Sequence, residues 1–164
     1  MVKETLPTPD EWEAIKREAA VGPIGSVGAW ISAALVQAVI DAARAALPNE
    51  ACGLLASGSY LADGGSPTRY VTLRNAADSP YRYLIDPQEQ LRVWLELEDA
   101  NEIPWAIVHS HVASAAEPSP TDIGLSFFPD SLYVICSLAG EVPTVRGWSI
   151  RDGAVTEVPL GVGE

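Results

Sequence analysis

The sequence has few cysteines, few basic residues and no long apolar run, and each shortage excludes a class of protein. Its two cysteines, Cys52 and Cys136, lie far apart and form no CxxC pair, which argues against a disulfide scaffold or a cysteine-rich zinc site and favours a reducing cytoplasm. Only 10 basic residues stand against 22 acidic ones, so the net charge of -12 predicts no binding to nucleic acid or anionic membranes. Glycine, proline and polar side chains interrupt the uncharged stretch 21–40, so no membrane-spanning helix is predicted.

What remains is a globular chain of 164 residues with 48% apolar side chains, enough for one core. Residues 1–28 are predicted to form a separate arm, and residues 29–164 a single domain. A short helix over 11–20 would give the arm an apolar stripe made of Trp12, Ile15 and Ala19. We expect this stripe to pack on the core or on a second subunit, and the second arrangement would make a homodimer.

Within the domain, apolar spacing predicts two long helices and one short one. The first is capped by Ser32 and stops before Pro48, and the second begins at Pro87 and ends near residue 100. The short helix is predicted over 121–127. The stripe at helical spacing in the second helix consists of Leu91, Trp94, Leu95 and Glu98.

Short runs rich in β-branched and aromatic residues predict the strands of the domain. These runs cover 51–56, 69–74, 81–85, 104–109, 132–138, 144–150 and 154–158. Strands alternate with helices in the first part of the domain and follow one another in the last part. This order favours an α/β fold in which helices pack on a mixed sheet.

Both histidines of the protein lie in one tripeptide, His109-Ser110-His111, at the end of a predicted strand. The two-residue period of a strand directs both imidazoles to the same face. Zinc binds imidazole and carboxylate, and a catalytic zinc keeps one position open, so Asp122 is the natural third ligand. Ser119 and Asp122 also have a purely structural explanation, because a serine followed three positions later by an acid favours a capping box at a helix N-terminus.

The complete spacing favours the metal site, and the capping role of Ser119 is compatible with a catalytic one. His109-x-His111 is followed by seven residues, Ser119, two residues and Asp122, and this pattern resembles the signature of the JAMM (MPN+) metallopeptidases. Many members of that family have proline where this chain has Val112. The segments NEACGLL, NAADSPYRYLIDPQEQLRVW and RDGAVTE are most similar to the bacterial Mec-type members, which remove cysteine from a ubiquitin-like sulfur-carrier protein.

The resemblance implies a single MPN (JAMM) domain, cytidine-deaminase-like, with a mixed, mostly antiparallel sheet flanked by helices. It also implies that His109, His111 and Asp122 bind one Zn2+ per chain. Glu50, just before the first strand-like run, resembles the upstream glutamate that the family requires and would act as general base. Ser119 would donate a hydrogen bond to the developing oxyanion.

The reaction implied by the resemblance is hydrolysis of the amide bond after the C-terminal Gly-Gly of a ubiquitin-like sulfur carrier, with release of cysteine. Alternatives are C-terminal maturation of a carrier precursor and isopeptide (deubiquitinase-like) cleavage. Two alternatives of other classes are a non-catalytic MPN scaffold and a thiol hydrolase that uses Cys52. The acidic surface predicts a carrier with basic residues around its tail, whose association slows as salt rises.

Overall fold

The computed structural model describes residues 28–164, so the predicted arm and its apolar stripe lie outside the described residues. The elements are, in chain order, β1 (Ala29–Ser32), α1 (Ala33–Ala45), β2 (Cys52–Ser57), a 3-10 turn (Leu61–Asp63), β3 (Arg69–Leu73), α2 (Pro87–Asp99), β4 (Ile103–His111), α3 (Pro120–Gly124), β5 (Leu132–Ser137), β6 (Thr144–Arg151), β7 (Ala154–Val158) and β8 (Leu160–Gly163). Among the described residues, no helix is long and apolar enough to cross a membrane.

Six strands form one sheet in the order β3-β2-β4-β5-β6-β7. The β4–β5 pair is parallel, and the other four pairs of neighbours are antiparallel. The predicted mixed, mostly antiparallel sheet is therefore confirmed. A second, two-stranded sheet pairs β1 with β8 in parallel, and the sequence did not predict it because each strand has only four residues.

Helix α1 begins and ends where its sequence predicts. The Ser32 hydroxyl accepts a hydrogen bond from the backbone N–H of Leu35 at 3.2 Å, and the helix ends at Ala45, before Pro48. Val39 and Ala43, one turn apart, are buried against the sheet. α1 thus covers one face of the sheet through a narrow apolar stripe.

Helix α2 has the predicted bounds but buries a different side. Its core-facing residues are Val93 and Leu97, whereas Leu91 is 63% exposed and Leu95 is 52% exposed. The predicted stripe was therefore wrong. Both stripes have the three- and four-residue spacing of a helix and both include Trp94, which packs on Phe128, so spacing alone could not choose between them.

The segment 81–85 is not the strand that its residues predict. It makes one isolated bridge, between Asn75 and Ile85. The Asn75 side chain accepts a hydrogen bond from the N–H of Leu84 and donates one to the carbonyl of Arg82, so these backbone groups have partners other than a neighbouring strand. The short helix α3 likewise ends at Gly124, earlier than predicted.

The sheet has two buried faces, and alternate residues of each strand belong to opposite faces. Val108 of β4 joins the apolar cluster beneath α1, and Ile107 joins the cluster beneath α2. Two further steps of this alternation put His109 and His111 on the α2 side. The fold thereby brings the end of β4, the start of α3 and Glu50, two residues before β2, close to one another.

Candidate metal centre

His109 and His111 form the end of β4, and both are buried. Their Nε2 atoms lie 3.2 Å apart. The Nδ1–H of His111 donates to the carbonyl of Ala115 at 2.7 Å, which leaves its Nε2 lone pair available to a metal. Strand β4 thus delivers two imidazole nitrogens to one point, as its two-residue period predicts.

Asp122 completes the cluster from the first turn of α3. Its Oδ2 atom is 3.1 Å from the Nε2 atom of each histidine. The same oxygen accepts a hydrogen bond from the Ser119 N–H at 2.8 Å, and the Ser119 hydroxyl accepts one from the Asp122 N–H at 3.1 Å. The predicted capping box is therefore present, and it holds the carboxylate oxygen toward the histidines.

The three donor atoms fit a bound zinc ion. They are separated from one another by 3.1 to 3.2 Å. Ligands at tetrahedral zinc distances of about 2.0 to 2.1 Å are themselves about 3.3 Å apart. His109, His111 and Asp122 are thus a group that could hold a metal ion, with the nitrogen and oxygen ligands that zinc accepts.

The ionisation of Asp122 and His109 suits a bound cation, whereas the raised pKa of His111 opposes one. Burial alone would raise the pKa of Asp122, but hydrogen bonds from the two histidines hold it well below its usual range. Burial lowers the pKa of His109 below its ordinary value. Burial also lowers the pKa of His111, yet its hydrogen bonds to Asp122 and to the Ala115 carbonyl leave that pKa raised. An ionised carboxylate beside a neutral His109 is what a metal ion requires of its ligands.

Glu50 lies just before β2 and is 4% exposed. Among the described residues, its Oε2 atom has no hydrogen-bond partner. Burial raises the pKa of Glu50 to about 7, with a smaller lowering effect from His111 and a smaller raising effect from Asp122. A carboxyl group in this state can both accept and release a proton near neutral pH.

The backbone around Glu50 is tightly held. Its N–H donates to the Ser79 carbonyl at 2.9 Å, and its own carbonyl accepts from Asn75 Nδ2 at 3.0 Å. The next residue, Ala51, donates its N–H to the Ser110 hydroxyl at 2.7 Å. Ser110, on the face opposite the histidines, therefore has the structural role that its position predicts.

Two further residues of this region, Asn75 and Tyr83, were not predicted from the sequence. The Tyr83 ring is stacked on the His109 ring, with centroids 4.4 Å apart and planes inclined by 23°. Tyr83 also lines an apolar cavity of about 200 Å³ with Ile107 and Phe128. No spacing signal marked either residue, because Asn75 reaches Glu50 and Tyr83 reaches His109 across 25 or more positions of the sequence.

Cys52 does not have the properties of a nucleophile. It is buried, it pairs with His109 in the sheet register, and its Sγ atom lies 3.6 Å from the Leu73 carbonyl. Burial, followed by the negative charges of Glu89 and Glu50, raises the pKa of the thiol to about 12. Because the thiolate is the reactive form, this site does not support a thiol hydrolase.

Comparisons with known proteins identify the family. Residues 32–151 match the prokaryotic homologs of the JAB domain, so the chain belongs to this family. It is 44% identical over 135 residues to the CysO-cysteine peptidase of Mycobacterium tuberculosis strain H37Rv, covering 82% of this chain and 90% of that protein. It is 33% identical over 103 residues to the desampylase of Haloferax volcanii, covering 62% of this chain and 71% of that protein.

A solved structure has a similar fold. The solution structure of a Desulfitobacterium hafniense protein superposes with a TM-score of 0.74 at 33% sequence identity, covering 82% of this chain and 92% of that one. The predicted family and fold class are confirmed. The chain is a hydrolase, a peptidase of the JAMM family, and the alternative of a non-catalytic scaffold is not supported.

Proposed function

We propose that this chain is a zinc-dependent peptidase that cleaves the amide bond after the C-terminal Gly-Gly of a ubiquitin-like sulfur-carrier protein and releases cysteine. The observation that carries the proposal is the convergence of His109, His111 and Asp122 at 3.1 to 3.2 Å. The buried carboxyl group of Glu50 is near enough to interact electrostatically with His111 and Asp122. The identity of 44% to a protein named CysO-cysteine peptidase supports the substrate class.

In this proposal His109, His111 and Asp122 hold one Zn2+ ion per chain. When bound, Zn2+ supplies a Lewis acid that lowers the pKa of water toward neutrality and polarises the substrate carbonyl. The Ala115 carbonyl fixes the tautomer of His111, and the capping box fixes the carboxylate of Asp122. These supports keep two of the three donor atoms in place without help from the substrate.

Glu50 moves the proton that the reaction requires. It accepts a proton from the attacking water and delivers it to the departing amine, so the C–N bond breaks as the new C–O bond is completed. Its raised pKa of about 7 suits both steps, since the group must gain and lose one proton in each cycle. The unpartnered Oε2 atom leaves it free to contact the water.

Ser119 is the proposed donor to the oxyanion. Its hydroxyl already accepts a hydrogen bond from the Asp122 N–H. A hydroxyl that accepts one bond can still donate its own proton, and Ser119 is only half-buried. Such a donor is typically worth about 3 kcal/mol of transition-state stabilisation.

The partner is a carrier whose tail can reach a buried site. Two terminal glycines allow close approach of the backbone because they have no side chains. The net charge of -12 favours a carrier with basic residues around its tail, so we expect association to slow as salt rises. Both cysteines are free and buried, in keeping with the reducing cytoplasm predicted above.

The chain also resembles a protein named desampylase. This resemblance supports a second candidate function. This candidate is isopeptide (deubiquitinase-like) cleavage, and C-terminal maturation of a carrier precursor uses the same chemistry. The three reactions differ in what leaves the carrier. A homodimer remains a prediction that rests on the arm.

Intact mass spectrometry of a carrier–cysteine adduct tests the proposal. We expect the zinc-loaded protein to remove the mass of one cysteine residue, a zinc chelator to abolish the loss, and added Zn2+ to restore it. Cys52→Ala should retain the activity, because the thiol has no role. An unchanged adduct would refute the substrate, loss of a longer peptide would favour maturation, and activity that survives chelation would refute the metal.

A further inference from the structure

The Asn75 side chain joins two segments of the candidate centre that are far apart in sequence. It is buried, and its amide makes four hydrogen bonds. Its Nδ2 atom donates to the carbonyls of Glu50 at 3.0 Å and Arg82 at 3.1 Å. Its Oδ1 atom accepts from the N–H groups of Ala77 and Leu84, both at 3.0 Å. All donors and acceptors of one amide are therefore used.

Two of these hydrogen bonds are made with Arg82 and Leu84, the residues on either side of Tyr83 in the sequence. The ring between them is the one stacked on His109. A further backbone bond, from the Ala76 N–H to the Leu84 carbonyl at 2.7 Å, strengthens the same connection. Asn75 thus holds the segment that presents Tyr83 to the imidazole.

The two histidines differ in what holds their rings. His111 Nδ1 donates to the Ala115 carbonyl, whereas His109 Nδ1 is buried and has no hydrogen-bond partner among the described residues. A histidine ligand is normally oriented by a hydrogen bond at its second nitrogen. For His109 that role falls to the face of Tyr83, 4.4 Å away.

We propose that Asn75 is a positioning residue for the metal centre and acts at two points. It sets the backbone of Glu50 directly, and it sets the ring of His109 through Tyr83. Its effect on metal binding rests on the proposed zinc site, and its effect on turnover rests in addition on the proposed reaction. Only an amide offers the two donors and two acceptors that this connection uses.

Asn75→Asp is the direct test, because aspartate has the same size and keeps both acceptors but loses both donors. We expect the affinity for Zn2+, measured in competition with a chromophoric chelator, to fall about 10-fold or more. We also expect kcat to fall about 10-fold or more while KM changes less than about 2-fold, because Glu50 would be displaced. The visible spectrum of the Co2+-loaded protein should change as well.

Ser131→Ala is the matched control. Ser131 is buried and donates a hydrogen bond to the Pro104 carbonyl, at the opposite end of β4 from the histidines. Its loss should lower the melting temperature but leave Zn2+ affinity, the Co2+ spectrum and kcat unchanged. If Asn75→Asp behaves in the same way as this control, Asn75 is merely structural and the proposal is wrong.

A second pair of variants keeps the test decisive if Asn75→Asp does not fold. Tyr83→Phe retains the ring and should bind Zn2+ as the parent does, whereas Tyr83→Leu retains apolar volume without the stack and should bind it about 10-fold more weakly. Equal affinities for these two variants would overturn the connection to His109. Inactivity of the parent toward every carrier adduct would refute the proposed function alone, since the affinities would still decide the role of Asn75.

Discussion

The two faces of the central sheet have similar apolar clusters but different polar contents. Beneath α1, residues such as Leu55, Val134 and Cys136 pack against the helix. Beneath α2, a cluster of the same kind reaches Tyr83, which is stacked on His109. The buried ionisable groups of the candidate centre therefore border only the second cluster.

This difference shows how the domain separates stability from chemistry. Burying a polar group is costly unless it finds partners, and a partnered cluster is sensitive to small displacements. The α1 face consists of hydrophobic packing, which tolerates volume-conserving changes. The α2 face supports atoms whose mutual distances of 3.1 to 3.2 Å must be kept. Changes on the two faces should consequently have separable effects.

The largest expected effect is that of His109→Ala, which removes one donor atom from the polar end of the α2 face. Metal and turnover should both be lost, with turnover falling by about 10⁴-fold or more. Metal analysis after gel filtration, together with the adduct-cleavage assay, measures the two losses. Full metal content in this variant would contradict the assignment of His109 as a ligand.

Glu50→Gln separates proton transfer from metal binding within the site, because it removes the proton carrier and keeps the three donor atoms. We expect zinc content to stay at that of the parent and kcat to fall about 10²- to 10⁴-fold. The same metal analysis and kinetic assay check both values. Retention of parental turnover would exclude Glu50 as the general base.

Leu54→Ala and Leu55→Ala compare the two faces through adjacent residues that are equally buried. Leu54 belongs to the cluster beneath α2 and Leu55 to the cluster beneath α1. Each should reduce the free energy of unfolding by about 2 to 5 kcal/mol in denaturant titrations. Zinc affinity should fall only for Leu54→Ala, and an equal fall in both variants would mean that the faces are not separable.

The smallest expected effect concerns pH and the metal-free chain. Folding raises the pKa of Glu50 from 4.5 to about 7, so the folded state binds this proton more tightly than the unfolded state does. The burial of Glu50 thus leaves stability unaffected below pH 4.5 and reduces it as the pH rises from 4.5 to 7. Glu50→Gln should remove this loss and stabilise the chelated protein by up to about 3 kcal/mol at pH 8.

Urea titrations at pH 4 and pH 8, with a chelator present throughout, measure this pH effect. The two proteins should differ at the higher pH alone. A difference of the same size at both values would show that the substitution acts through packing and not through ionisation.

Elements with strong local signals were predicted correctly. Ser32 caps α1, Pro87 starts α2, and the spacing from His109 to Asp122 anticipated side chains that the structure brings together. These signals are local because a cap, a proline or a strand period acts within one or two turns of the chain. Their agreement with the structure follows from that short range.

Elements that depend on distant partners were not predicted. The side of α2 that is buried was decided by packing on the sheet, where Val93 and Leu97 join the apolar cluster. The segment 81–85 was kept out of the sheet by the side chain of Asn75. The β1–β8 pair joins residues from the two ends of the described chain. In each case the deciding contact is made by a residue beyond the range of a cap or a strand period, although Asn75 is only seven and nine residues from its partners Arg82 and Leu84.

The sequence by itself determined which side chains could form a metal centre, because it fixes the type and the spacing of the ligands. The two-residue period of a strand then directs both imidazoles to one side. Only the tertiary structure decided how that centre is supported. Burial raises the pKa of Glu50, the ring of Tyr83 stacks on His109, and Asn75 makes four hydrogen bonds. Each of these features exists only when separate segments of the chain meet. Desolvation and stacking depend on the neighbouring residues in the folded structure, so no local sequence pattern specifies them.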